Sequence, residues 1–428
     1  MLISGVYKMN YAVVKNKNKR ISFVKGIGLK NESLFGWAFF LLIVLVWTKD
    51  ILLSYVIATF RRIPLLGGAT DILVDFVFIL AIVFSIPYII KRLKFNDIIF
   101  GLVILISYLL NYLLFPKNEE VLNDNIAIFL LKVVPFYFIG ISLRTEKYFN
   151  LLYILSMLNI SSLIFYKLFL GTPMDSIASQ YEGDMNLAYE MLPHLCIIIY
   201  VLFNKPNIFN LVLSLGGGIL LFSLGSRGPL ACCVLFIVCY LLLFKKYKHP
   251  IIVYSIIFLM GLIFCLSFDW IMLQLNNISM RLGLSIRIFS KYIEGDFFGS
   301  SGREVISETL LVAIKEKFVF GYGIGADRVL SGSGSYAHNI ALEFFTSFGV
   351  IWGSIFMIFL LIVLFFGFKK SSSNEKRGLI LVLIFSSFLK LFLSGSYLHE
   401  ANLFLLLGLC IQSIRLERYG MSSYKVIG

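Results

Sequence analysis

Residues 336–367 read YAHNIALEFFTSFGVIWGSIFMIFLLIVLFFG. The apolar run exceeds the about 20 residues that an α-helix needs to cross a bilayer, so the stretch reads as a membrane span. It also places His338 and Asn339 at the mouth of that span, in a chain with only 4 histidines. Whether the pair does chemistry depends on which side of the membrane it faces.

The whole chain supports a membrane setting. Of its 428 residues, 59% are hydrophobic and 14% charged, with a mean hydropathy of +0.89. A soluble domain is more charged and less apolar, so the expectation is an all-α polytopic membrane protein. The net charge of +14 does not point to nucleic acid, because lysines and arginines gather in short loops and at both ends, where a protein meets an anionic leaflet. The cysteines (Cys196, Cys232, Cys233, Cys239, Cys265, Cys410) all fall in apolar segments without a CxxC pair. They read as packing residues, with neither a disulfide framework nor a zinc site. The basic, polar start does not resemble a cleavable signal peptide.

The length rule gives about twelve transmembrane helices: 34–58, 68–90, 96–115, 122–143, 147–170, 184–204, 207–224, 228–245, 250–268, 338–367, 377–394 and 398–415. Basic residues near the N-terminus (Lys8, Lys15, Lys17, Lys19, Arg20, Lys25, Lys30) make that end cytoplasmic by the positive-inside rule. Alternate loops agree: KRLK at 91–94, Arg144 with Lys147, KKYK at 245–248, and Lys369 with Lys370, Lys376 and Arg377. Arg61 and Arg62 fall on the opposite side and are the exception. The chain is thus expected to divide into a basic cytoplasmic segment at 1–33, nine spans within 34–268, an extracytoplasmic loop at 269–337, three spans within 338–415 and a cytoplasmic tail at 416–428. The spacing of Leu275, Ile278, Leu282, Ile286, Phe289 and Ile293 predicts an amphipathic helix in the loop. Ser301 and Glu304 form a capping-box pattern that predicts a second.

The polar clusters fall on the outer side. GSRGPL sets Arg227 at a helix start, with Pro229 suited to its first turn. A helix N-terminus beside a guanidinium can cradle phosphate, although an arginine there can also simply snorkel to headgroups. SSGREV adds Arg303 at another helix start, and GYGIGAD at 321–327 makes a glycine-rich turn that is neither a Walker nor a Rossmann fingerprint. His338 follows, either as a hydrogen-bonded interfacial residue or as a general base. Together these groups suit a reaction in which pyrophosphate leaves and a hydroxyl loses its proton, since arginine forks offset the departing charge without a metal. Glu182 and Asp184 in the outer loop at 171–183 and its edge are the acidic candidates for a metal, with no second pair to complete a site.

In this order, GDMNLAYEMLP (183–193), LGSRGPL (224–230), SGRE (301–304), FGYGIG (320–325) and AHNIALEFFTSFG (337–349) resemble the O-antigen ligase and polymerase superfamily. The likeness covers roughly 180–370. It implies a GT-C-like helical fold and inverting, metal-independent glycosyl transfer from undecaprenyl-pyrophosphate-linked glycan on the outer face of the bacterial cytoplasmic membrane, with no cofactor. It assigns the pyrophosphate-binding arginine to Arg227, a second substrate-contacting arginine to Arg303 and the base to His338. Asn339, Arg281 and Arg287 join them as candidate substrate-binding residues, and His399 also falls on the outer face. The family's Gly-x-x-Gly pattern after the histidine is replaced here by Gly349 and Gly353.

Within the superfamily, a polymerase joins lipid-linked repeat units, a ligase moves the chain to lipid A core, and an oligosaccharyltransferase moves it to protein. The Ile-, Phe-, Lys- and Asn-rich composition favours a polymerase of O-antigen or capsule-type polysaccharide, with lipid-linked donor and acceptor, membrane lipids and a chain-length-regulating co-polymerase as partners. A flippase for lipid-linked oligosaccharide is the reading from another class. It draws on the intramembrane charges Asp71, Asp75, Lys132, Lys167, Glu190 and Lys390, although no internal repeat supports it.

Overall fold

Apolar runs punctuated by short basic loops become helices packed side by side. The computed structural model describes residues 34–48, 51, 69–169, 177–244, 259, 266–281, 292–293, 303–332 and 334–418, and no strand occurs among them. The basic segment 1–33, Arg61 and Arg62, the KKYK loop, nearly all of the 250–268 span, Arg287 and the end of the tail lie outside the described residues.

The helices are α1 (Leu34–Thr48), α2 (Ala69–Ile90), α3 (Phe95–Leu114), α4 (Glu119–Ile128), α5 (Val134–Ser142), α6 (Thr145–Phe169), α7 (Ile177–Asn204), α8 (Ile208–Ser223) and α9 (Arg227–Phe244). They continue as α10 (Phe268–Arg281), α11 (Arg303–Glu316), α12 (Ala326–Leu330), α13 (Ile340–Lys369), α14 (Asn374–Leu383) and α15 (Ala401–Arg418). Among the described residues, five segments are long and apolar enough to cross a membrane: Phe95–Leu114, Thr145–Phe165, Met185–Asn204, Arg227–Phe244 and Ile340–Lys369. Shorter apolar helices lie at Leu34–Thr48, Phe76–Ile90, Ile208–Ser223 and Ala401–Arg415. Leu102, Val103, Ile106, Leu109 and Leu110 of α3 stay exposed, as lipid-facing side chains do in a multi-pass membrane protein.

The expected spans at 122–143 and 377–394 are not continuous α-helix. Pro135 has no N–H to return to the preceding turn, and the chain widens into a π-turn at Phe129–Val133 between α4 and α5. After α14 comes another π-turn, Ile384–Phe388, then a 3-10 turn, Lys390–Phe392. There the Ser387 hydroxyl donates to Leu383 O at 2.6 Å, competing for a helix carbonyl. In the loop region, α10 already begins at Phe268, and α11 begins at Arg303, with Ser301 outside the described residues.

Small residues let backbones meet where α5 crosses α15. A Cβ on Gly408 would sit 3.0 Å from Gly140 Cα, and one on Gly140 would sit 3.1 Å from Gly408 Cα, the close approach that helix pairs in lipid favour. Near that crossing, Arg415 pairs with the fully buried Asp97 at 2.5 Å and Tyr137 donates to the same carboxylate at 3.1 Å, tying the end of α15 to the start of α3 and to α5.

The break in α13 positions the end of the helix that carries His338. Gly349 adopts φ 77° and ψ 168° inside the helix, which glycine alone tolerates readily. Backbone groups freed by the break are taken up by residues 318–323. Tyr322 N donates to Thr346 O at 2.8 Å, Gly323 N to Ser347 O at 2.9 Å, and Val350 N to Phe318 O at 2.7 Å. Unsatisfied groups at membrane depth would be costly, so the loop and the break stabilise each other. On its other side the glycine-rich turn is held by Asn118, which donates to Tyr322 O at 2.9 Å, and by Asn111, which accepts from Ile324 N at 2.7 Å.

Candidate functional site

Asn339 is the N-cap of α13, its side-chain oxygen accepting from Ala341 N at 2.9 Å and Leu342 N at 3.3 Å. That role engages the oxygen that the sequence made a candidate for substrate. His338 sits immediately before the cap with φ 55°, and no other non-glycine residue among those described has a positive φ. Such a conformation costs about 1–3 kcal/mol and persists only where its surroundings impose it. The imidazole lies against Tyr336, with ring centres 4.1 Å apart. Its Nδ1 is buried with no hydrogen-bond partner among the described residues.

Burial, and secondly the positive charge of Arg303, lower the His338 pKa from 6.5 to about 4. The ring is therefore neutral at neutral pH and able to accept a proton. Arg303 opens α11, and its guanidinium donates to Leu393 O at 2.6 Å. This bond fixes the arginine against the segment that follows the 3-10 turn.

Tyr189 of α7 connects the next part. It hydrogen-bonds with Ser394 and feels the charge of Arg303. It also lies against the first turn of α9, where a Cβ on Gly228 would come within 3.0 Å of its ring carbon Cζ. Arg227 is the first residue of that turn, and Pro229 lies in it, as the sequence predicts. Lys390 sits 5.5 Å from the centre of the Tyr189 ring and pairs with Glu400 at 2.5 Å. The start of α9, the start of α11 and the His338 turn are thus gathered around Tyr189 and residues 393–394. Two guanidinium-bearing helix starts and a neutral imidazole can receive a diphosphate and an acceptor hydroxyl.

Other expected residues lie elsewhere or outside the described residues. Arg281 ends α10 and its side chain is not among those described, and Arg287 lies outside the described residues. Glu182 and Asp184 fall within α7 rather than in a loop. Among the described residues no group of three or more His, Cys, Asp or Glu could hold a metal ion. His399 meets Asn125 instead of the His338 turn.

The sequence reading did not single out Tyr189, Tyr336, Ser394 or Glu400. Lys390 was marked only as an intramembrane charge, and Tyr336 stood two places before the histidine.

A family model described as O-Antigen ligase matches residues 209–357, about a third of the chain. The matched stretch includes Arg227, Arg281, Arg287, Arg303, His338 and Asn339, while Tyr189 precedes it and Lys390 and Ser394 follow it. No curated protein matches the chain.

Proposed function

From a family match that supports the O-antigen ligase and polymerase superfamily, we propose that the chain polymerises undecaprenyl-pyrophosphate-linked repeat units into O-antigen or capsule-type polysaccharide. The reaction is an inverting glycosyl transfer on the outer face of the bacterial cytoplasmic membrane. The chain crosses the membrane about twelve times, with both termini cytoplasmic and a GT-C-like arrangement. The observation that carries the reading is the juxtaposition of Arg303 with a neutral His338 beside the helix start that bears Arg227.

In this mechanism the donor's pyrophosphate lies between Arg227, at the N-terminus of α9, and Arg303. The acceptor hydroxyl oxygen attacks the anomeric carbon, the bond from that carbon to the pyrophosphate oxygen breaks, and the hydroxyl proton passes to His338. Burial and, secondly, the Arg303 field hold the histidine's pKa down, and an arriving dianion offsets the second, so the base strengthens when the donor is bound. The arginines then stabilise the charge that accumulates on the leaving group.

A ligase is the second reading, favoured by the description of the matching family model. An envelope-glycan gel of a strain lacking the gene, complemented with wild type or His338→Ala, separates the two. A single repeat unit left on the acceptor, unrescued by His338→Ala, is expected for a polymerase. Long lipid-linked chains that never reach their acceptor indicate a ligase, and an unchanged gel removes both. Loss of the base is expected to lower turnover by about 100-fold or more.

A further inference from the structure

Behind His338 lies a set of buried ionisable groups that the transfer mechanism leaves unused. Asp327 and Glu343 are 0% and 1% exposed, and Arg328 is 6% exposed. Asp327 Oδ2 accepts from Ala337 N at 2.8 Å, the peptide group just before His338. Arg328 donates to Asp327 Oδ1 at 3.3 Å and to Ser396 Oγ at 2.9 Å, and its Nη1 lies 3.6 Å from Glu343 Oε1. Ser396 donates to Glu343, and Tyr397 N donates to Glu343 Oε2 at 3.2 Å. The Arg328 guanidinium also stands 5.8 Å from the centre of the Tyr336 ring, the ring that the imidazole rests on.

These contacts join α12, the first turn of α13 and the segment before α15. They also bracket the strained residue. On one side Asp327 grips the Ala337 N–H, and on the other Asn339 caps α13. A histidine released from either anchor relaxes toward an ordinary backbone conformation, and its ring leaves its place beside Arg303. Buried ionisable groups are stable only when paired or hydrogen-bonded, and each member of this set has such partners. We propose that Asp327 is a positioning residue for His338, kept in place by Arg328, Glu343 and Ser396. The proposal rests on the reading of His338 as the base.

The test uses the full-length protein in detergent, with the native lipid-linked repeat unit as substrate. It reads kcat, the donor KM and the rate at which diethyl pyrocarbonate modifies His338, followed by peptide mass spectrometry. For Asp327→Asn, kcat is expected to fall about 100-fold, the cost of displacing a reacting group by an ångström. Donor KM should stay unchanged, and modification of His338 should become several-fold faster as the ring swings into solvent. A folded Asp327→Asn protein with wild-type kcat and modification rate overturns the proposal, as does a loss carried by KM alone. If that variant does not fold, Ser396→Ala loosens Arg328 and Glu343 without removing a charge. It should move both readouts in the same direction by less, and no movement in either overturns the proposal. If the wild type transfers no sugar, the proposed function fails. The modification arm still decides whether Asp327 holds His338: a faster rate in the variant supports it and an unchanged rate ends it.

Discussion

At the scale of single residues, Arg303 has two tasks in the proposed mechanism, binding charge and setting the state of the base. Its guanidinium is the second contributor, after burial, to the lowered pKa of His338. In the free enzyme the acid limb of kcat/KM should therefore lie near pH 4. Removing the positive charge makes protonation easier, so Arg303→Met should move that limb upward, toward but short of the ordinary 6.5, because burial remains. A pH–rate profile of the two enzymes checks this, and a limb that stays in place would mean Arg303 does not face the base. Arg303 and His338 were legible in the sequence because each is marked locally, one at a helix start and one at the mouth of an apolar run. Tyr189 was not, since its relevance comes from meeting Gly228 of α9 and Ser394, more than two hundred positions away along the chain.

At the scale of elements, the break in α13 gives the clearest prediction. Gly349→Ala places a side chain at φ 77° and ψ 168°, an essentially glycine-only conformation that costs about 1–3 kcal/mol, and sets its Cβ 2.7 Å from Phe320 N and closer still to the Val319 backbone. The protein should melt several degrees lower in detergent and lose transfer activity, because the same helix carries His338 at its mouth. Gly353→Ala has no unusual φ to satisfy and should be milder. The spans were readable as apolar runs, yet this break was not. FGYGIG and the SFG step of α13 look like separate glycine patterns, and only the hydrogen bonds between residues 318–323 and 346–350 show that they are one structure. The π-turns at 129–133 and 384–388 were hidden for a similar reason, since periodicity sees apolar content and not a change in helical pitch.

At the scale of the whole molecule, the Asp97–Arg415 pair holds together helices far apart in the chain. Arg415→Ala leaves a carboxylate at 0% exposure without its partner. The expected cost is about 3 kcal/mol, the low end for a buried pair because Arg415 keeps 21% exposure. Thermal melts should show the loss, Asp97→Asn in the same chain should recover part of it, and kcat at a permissive temperature should hold. Sidedness is tested by cysteine substitution at two exposed positions, Glu308 on α11 and Glu375 on α14. A membrane-impermeant maleimide should label Glu308→Cys in intact cells and spare Glu375→Cys until the cells are opened. The reverse pattern would invert the proposed topology.

The interlock between residues 318–323 and the break in α13 also constrains how such a chain can diverge. Its partners meet backbone to backbone, so neither half can drift in conformation while the other stays fixed. A recombination event with its crossover between positions 323 and 346 would hand each half a stranger. Exchange of these segments between related proteins should therefore travel as one inherited block, running from before Phe318 to beyond Val350.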